Sequence, residues 1–363
     1  MTVTGGFPAP GPQDREPGRN QSYSGLPPTA PPPTGPPIQP WTPMPQIPML
    51  TAHKPGIVPL RPLQFGDILD GAVKAVRFNP KSMVGLSALV LGAFLVPSAA
   101  LGIGATHLMT GYLSTLEPGA EAFLGLASTL IQTVFTGLAT AILSGLLVHV
   151  VGQAVLGRKP DIGQTWRTTR GRVPSLLALL IVSGLFSLVS TALLIGPGLL
   201  LLVNDNTGGG VIALILGIFC AIVVAVYVST KISLAAPAMV LEGHGVVAGL
   251  RRSFALTKGA AAFWRILGIT LVAGLLAGFA GWLLGLPFSL IGLGIAAVAG
   301  QDTESAQMVV TFVSHLSALL SGAITTPFVA AVTGLLYIDR RMRLEALDVV
   351  LLREARSNPA PRI

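Results

Sequence analysis

The chain of 363 residues is 51% hydrophobic and only 10% charged, whereas an average soluble domain carries about 25% charged residues. A water-soluble fold this poor in charge would expose large apolar patches and aggregate, so composition points away from a soluble bundle and toward the membrane. The net charge of +8 sits in short basic clusters beside apolar runs, with no nucleic-acid motif; that is the pattern of topology signals and anionic-lipid contacts, not of a nucleic-acid partner.

The chain opens with a proline-rich arm over residues 1–53, and residues 1–48 hold 15 of the 29 prolines. The stretch Pro27-Pro28-Thr29-Ala30-Pro31-Pro32-Pro33 offers too few large apolar side chains to bury, so the arm is expected to be disordered or polyproline II. No apolar central region follows a basic start, so it does not read as a secretory signal peptide. Two roles stay open: a ligand for a proline-reading partner domain, and a solvated cytoplasmic tail without a fixed partner.

A spanning helix needs about 20 mostly apolar residues, and six segments between residues 54 and 352 qualify. They run from Ser82 to Met109, Ala122 to Leu156, Pro174 to Val203, Val211 to Thr230, Ala261 to Ala299 and Ala306 to Ile338. Pro97 predicts a kink in the first, and Gly196-Pro197, Pro287 and Pro327 predict breaks in the third, fifth and sixth. A short basic tail over 353–363 closes the chain.

The connections predict the orientation. The first-to-second loop carries Glu117 and Glu121, the third-to-fourth Asp205, and the fifth-to-sixth Asp302 and Glu304, none with Lys or Arg. All 23 Lys and Arg fall on the other side. Basic loops stay in the cytoplasm, so the reading is a multi-pass protein of the cell (plasma) membrane with both termini cytoplasmic.

The segments before the first, third and fifth spans resemble one another. Each is short and amphipathic, ends in a basic residue followed by Pro or Gly, and enters a span. In the first, Ile68, Leu69, Ala72, Val73 and Val76 form one apolar stripe, away from Lys74, Arg77 and Lys81. Such a helix lies at the interface, its stem in the acyl boundary and its cations on headgroups. The expected fold is therefore an all-α membrane protein: six transmembrane helices as three hairpins, each preceded by a cytoplasmic interfacial amphipathic helix, behind a disordered Pro-rich N-terminus. A threefold repeat competes with the general tendency of cytoplasmic loops to be basic and amphipathic. Arg167, Arg170, Arg172, Arg251, Arg252 and Lys258 are the candidate headgroup contacts, and each competes with a role in topology alone.

Residues that carry chemistry are sparse within the spans. His107, His149 and His315 read as polar groups near the interfaces, and Lys231 as a side chain snorkelling to headgroups. Glu242 and His244 form the one close acid–His pair, in Pro237-Ala238-Met239-Val240-Leu241-Glu242-Gly243-His244-Gly245, and read as a turn because no nucleophile is near in sequence. Asp339 beside Arg340 and Arg341 reads as a local ion pair. Gly208-Gly209-Gly210 lacks the Lys-Ser or Lys-Thr of a phosphate loop, and the lone Cys220 reads as a small buried apolar residue. Gly274 and Gly278, four apart, read as helix packing. No catalytic, metal or cofactor site is expected.

Three stretches carry a family likeness. They are Lys54-Pro55-Gly56-Ile57-Val58-Pro59-Leu60-Arg61-Pro62-Leu63 with Gly66-Asp67-Ile68-Leu69-Asp70-Gly71; Ala236-Pro237-Ala238-Met239-Val240-Leu241-Glu242-Gly243 with Leu250-Arg251-Arg252-Ser253-Phe254 and Phe263-Trp264-Arg265; and Leu335-Leu336-Tyr337-Ile338-Asp339-Arg340-Arg341-Met342-Arg343-Leu344-Glu345-Ala346-Leu347-Asp348. Over about residues 54–352 the chain resembles actinobacterial membrane proteins of the glycerophosphoryl diester phosphodiesterase membrane-domain family. In the enzymes of that name this module precedes a soluble barrel of about 250 residues, and only Arg340 to Ile363 follow the last span here. The resemblance thus implies the membrane module without the catalytic barrel. The function expected is a non-enzymatic membrane protein contacting anionic lipid or a partner protein at the cytoplasmic face. The alternative is a transporter or export component for a lipid-like solute, lined by the broken helices.

Overall fold

The structure, a computed structural model, describes residues 56–59, 61–113, 120–299 and 304–345, and side chains outside 105–128, 296 and 299–307. The arm over 1–53 and the tail over 353–363 lie outside the described residues, as does the side chain of His107. Among the described residues there are ten α-helices, one 3-10 turn and no strand: α1 (Phe65–Phe78), α2 (Pro80–Leu113), α3 (Ala120–Val155), α4 (Ile162–Thr169), α5 (Val173–Val203), α6 (Thr207–Ile232), α7 (Ala235–Leu241), α8 (Val246–Leu256), α9 (Ala260–Ala299) and α10 (Glu304–Glu345). Six of them are long and apolar enough to cross a membrane, and the chain is a multi-pass membrane protein. They pair as the hairpins α2/α3, α5/α6 and α9/α10. The short helices α1, α4 and α8 stand before them in the expected places.

Local chemistry sets the ends of the short helices. The Gln64 backbone N–H donates to Asp67 Oδ2 at 3.0 Å, which satisfies one free group at the start of α1. Asp161 Oδ1 accepts from the Gln164 N–H at 2.6 Å and starts α4. On the opposite end of the molecule α5 turns into α6 within three residues. Asp205 takes φ 59 there, a left-handed conformation that Asp tolerates better than most residues, and Asn206 Oδ1 caps α6 by accepting from the Gly209 N–H at 3.1 Å.

The expected breaks are absent: α5, α9 and α10 run through Pro197, Pro287 and Pro327 as continuous helices. Proline removes one N–H and bends the helix, but unwinding a span would leave several backbone groups unsatisfied in hydrocarbon. The helices are also longer than a bilayer needs. At 1.5 Å per residue, the 40 residues of α9 and 42 of α10 extend about 60 and 63 Å, against about 30 Å of hydrocarbon. α10 runs on past Ile338, where a hydropathy reading stops, and carries Asp339, Arg340, Arg341, Arg343 and Glu345 as helix.

Packing is concentrated at the basic end. α10 is the central element, against α9, α2, α1 and α3. Leu63, Ile68, Leu147, Val151, Leu256, Ile266 and Tyr337 share one buried cluster there. The stripe of α1 is largely covered by protein: Ile68 and Ala72 are buried, and Gly71 sits so close to Val58 and Leu335 that a Cβ would fall within 2.9 Å of each. The hairpin α5/α6 is peripheral. None of the apolar window of α5 and 6% of that of α6 is buried within protein, against 50% for α3. Its two helices touch closely, since a Cβ on Gly217 would stand 2.2 Å from the Leu194 carbonyl oxygen. Glycine is what permits that approach.

Candidate functional site at the basic end

Helical geometry divides the last turns of α10 into faces, because residues four apart lie one above the other. Tyr337, Arg341 and Glu345 form one face, Asp339 and Arg343 a second, and Arg340 a third.

The first face meets α7 and α8 through Glu242. Arg252 Nε donates to Glu242 Oε2 at 3.0 Å and its Nη2 to Oε1 at 3.0 Å. Arg341 Nε lies 3.1 Å from Oε1, the Tyr337 hydroxyl donates to the same oxygen, and His244 Nε2 is 2.8 Å from Oε2. Glu345 closes the circuit by pairing with Arg252 and, at 3.0 Å, with Arg341 Nε. Burial by itself would raise the Glu242 carboxyl. The hydrogen bonds from Arg252 and Tyr337 and the charges of Arg341 and Arg252 outweigh it, and the group stays below its ordinary value. The Arg252 guanidinium is raised, first by its hydrogen bond to Glu242. A carboxylate held this way is a poor proton acceptor, so Glu242 acts as the knot of an ion-pair network and not as a base.

The second face meets the segment before α1 and the start of α9. The Asp339 side chain is fully buried, 0% exposed. It accepts from the Leu63 backbone N–H at 2.8 Å, from Arg265 Nη2 at 3.2 Å and from Arg343 Nε at 2.9 Å. Arg265 and Arg343 each donate also to the Leu63 carbonyl at 2.6 Å. The third face holds α8: buried Arg340 donates through Nε to the Leu256 carbonyl at 3.0 Å, placing a cation at the helix C-terminus. Three consecutive residues, Asp339, Arg340 and Arg341, therefore tie the end of α7, α8, the segment before α1 and the start of α9 to one helix. The pairing read from sequence as local is in space a long-range clamp.

Two further ties complete this end. Arg172 Nη1 donates to the Gly243 carbonyl at 2.8 Å. Gly243 has φ +74, and a Cβ there would fall 2.7 Å from Arg172 Nη2, so both conformation and space call for glycine. Lys231, expected to reach headgroups, instead donates to the Thr257 carbonyl at 2.9 Å, its Nζ 5.7 and 5.6 Å from the ring centroids of Tyr227 and Phe263.

The six candidate headgroup contacts thus separate into two groups. Arg252 and Arg172 are half-buried and engaged with protein. Arg167, Arg170, Arg251 and Lys258 are exposed, with no partner among the described residues. Exposed Trp166 and Phe254 lie on the same short helices, and exposed Trp264 opens α9. Elsewhere, His315 lies nearly buried in the bundle, its Nδ1 2.8 Å from the Thr311 carbonyl and its Nε2 3.5 Å from Ser98 Oγ, and Cys220 is exposed on the apolar flank of α6 instead of buried. Among the described residues no group of three or more His, Cys, Asp or Glu stands close enough to hold a metal ion.

The ion-pair network left one trace in the sequence, the spacing Tyr337, Arg341, Glu345. Its partner Glu242 is 95 residues from Tyr337, which no local pattern reveals. Comparison with known protein families, characterised proteins and solved structures gives no match to this chain, so its function is argued from the geometry alone.

Proposed function

We propose that the chain is a non-enzymatic plasma-membrane protein whose basic end faces the cytoplasm and rests on anionic lipid, with a partner protein as a second occupant of the same face. The observation that carries this reading is the set of four exposed cations, Arg167, Arg170, Arg251 and Lys258, beside exposed Trp166 and Phe254. Cations near an anionic surface contribute about 1 kcal/mol each, and aromatic rings favour the headgroup level. The placement of every Lys and Arg on one side supports the orientation. The resemblance to the membrane module of the glycerophosphoryl diester phosphodiesterase membrane-domain family fits the same reading.

Native mass spectrometry of the detergent-solubilised protein tests it. Wild type is expected to retain phosphatidylglycerol in preference to phosphatidylcholine, and the variant Arg167→Gln, Arg170→Gln, Arg251→Gln, Lys258→Gln to lose most of that preference. An unchanged preference in the folded quadruple variant refutes it.

A second reading, a transporter or export component for a lipid-like solute, draws on the apolar grooves along the helix seams. One of about 260 Å³ runs between α2 and α10 at Leu95, Ala99 and His315, and one of about 400 Å³ lies between α9 and α10 at Ser289, Ser314 and Ser317. The continuity of α5, α9 and α10 weighs against it, because transporter sites are commonly built on discontinuous spans. Transfer of a fluorescent lipid between leaflets of proteoliposomes, absent from protein-free vesicles, would favour it over the first reading.

A further inference from the structure

One groove has a composition unlike the others. It lies between α1, α9 and α10, about 370 Å³ in volume, within the range of a small-ligand site. Val73 and Val76 of α1, Ala277 and Ala280 of α9, and Ile324 and Phe328 of α10 form its walls, and Arg77 is its single charged lining residue. Arg77 is exposed and has no hydrogen-bond or ion-pair partner among the described residues. The two acids of α1 and the buried acid packed against its start are engaged elsewhere: Asp67 with Arg61 at 3.5 Å, Asp70 with Lys74, and Asp339 with Arg265 and Arg343.

The groove also accounts for the apolar stripe of α1. Ile68 and Ala72 go into the protein core. Leu69 and Val76 pack against that core, and Val73 and Val76 line the groove. Apolar walls with one unmatched guanidinium are complementary to an amphiphile with a hydrocarbon tail and an anionic head. Burying methylenes stabilises such a ligand, and Arg presents a rigid fork that suits a phosphate oxygen pair.

We propose that this groove holds one anionic glycerophospholipid, an acyl chain between Val73, Ala280 and Phe328 and its phosphate on Arg77. The site rests on the lipid-contact reading above but is separate from the four surface cations in both place and stoichiometry.

The test uses the full chain, delipidated in detergent and titrated with phosphatidylglycerol or phosphatidylcholine, with bound lipids counted by native mass spectrometry. Wild type is expected to take up one phosphatidylglycerol at low concentration, ahead of the weaker, variable shell. Arg77→Gln is expected to weaken that first lipid about fivefold, and Ala280→Phe to abolish it by filling the groove. The quadruple surface variant is expected to keep it. Equal uptake of phosphatidylcholine, or an unchanged first lipid in Arg77→Gln, overturns the proposal. Should Ala280→Phe not fold, Arg77→Gln decides alone, since its exposed side chain holds no hydrogen bond or ion pair among the described residues. Loss of the first lipid in the quadruple variant would also overturn it, by moving the site to the surface cations, whereas an unaltered anionic preference in that variant would count against the surface reading and leave the groove standing.

Discussion

Replacing Asp339 with Asn keeps the shape of the side chain and removes its charge. The wild-type carboxylate is fully buried and accepts from the Leu63 N–H at 2.8 Å, Arg343 Nε at 2.9 Å and Arg265 Nη2 at 3.2 Å. Removing one partner of a buried ion pair costs about 3–5 kcal/mol. The two guanidiniums are 30% and 32% exposed, so water screens part of the loss, and both keep the Leu63 carbonyl as acceptor. The expected loss is therefore about 2–3 kcal/mol. With about 2–4 °C of Tm per kcal/mol in a domain of 150–250 residues, the midpoint should fall by roughly 4–12 °C. Size-exclusion profiles of heated, detergent-solubilised protein would report it. Asp70→Asn is the control, since Asp70 pairs with Lys74 at 60% and 45% exposure, and such a surface pair contributes about 0–1 kcal/mol. Equal melting of Asp339→Asn and Asp70→Asn would refute the reasoning that α10 is clamped through this residue.

The Glu242 carboxyl, whose folded value lies below its ordinary one, contributes stability that is present above the unfolded value of about 4.3 and lost as pH falls through the folded value. Wild type should accordingly lose thermal stability as pH falls below about 4.3 more steeply than Glu242→Gln, and identical pH profiles would show that the network is not coupled to folding. The proposed orientation makes a separate prediction. In a Cys220→Ser background, Asn206→Cys at the α5–α6 turn should react with a membrane-impermeant maleimide on intact cells and Lys258→Cys should not. Labelling of both, or of Lys258→Cys alone, would reverse or abolish the assigned topology.

Much of this architecture was legible because the bilayer imposes a strong constraint on sequence. A span must satisfy its own backbone hydrogen bonds and present apolar side chains to lipid, so a run such as Val211 to Thr230 announces α6 without knowledge of its neighbours. The one-sided placement of Lys and Arg likewise needs no tertiary information, because it answers to the membrane and not to a partner residue. Short amphipathic helices were readable from the stripe of Ile68, Ala72 and Val76 and from the cations around them.

What the tertiary structure decided is where those features are spent. Arg252 and Arg251 are neighbours of the same type, yet one holds Glu242 and the other faces outward. Glu242 looks like a turn residue until α10 brings Tyr337 and Arg341 to it. Ile68 and Ala72 of the α1 stripe enter the core, while Val73 and Val76 line a groove with Arg77. Hydropathy and charge placement are responses to a solvent, which is the same for every residue at a given depth, so they can be read one segment at a time. A tertiary contact is a response to a particular partner, and those of Glu242 with Tyr337, Asp339 with Arg265 and Arg340 with the Leu256 carbonyl join residues 95, 74 and 84 apart, brought near only when the long helices pack.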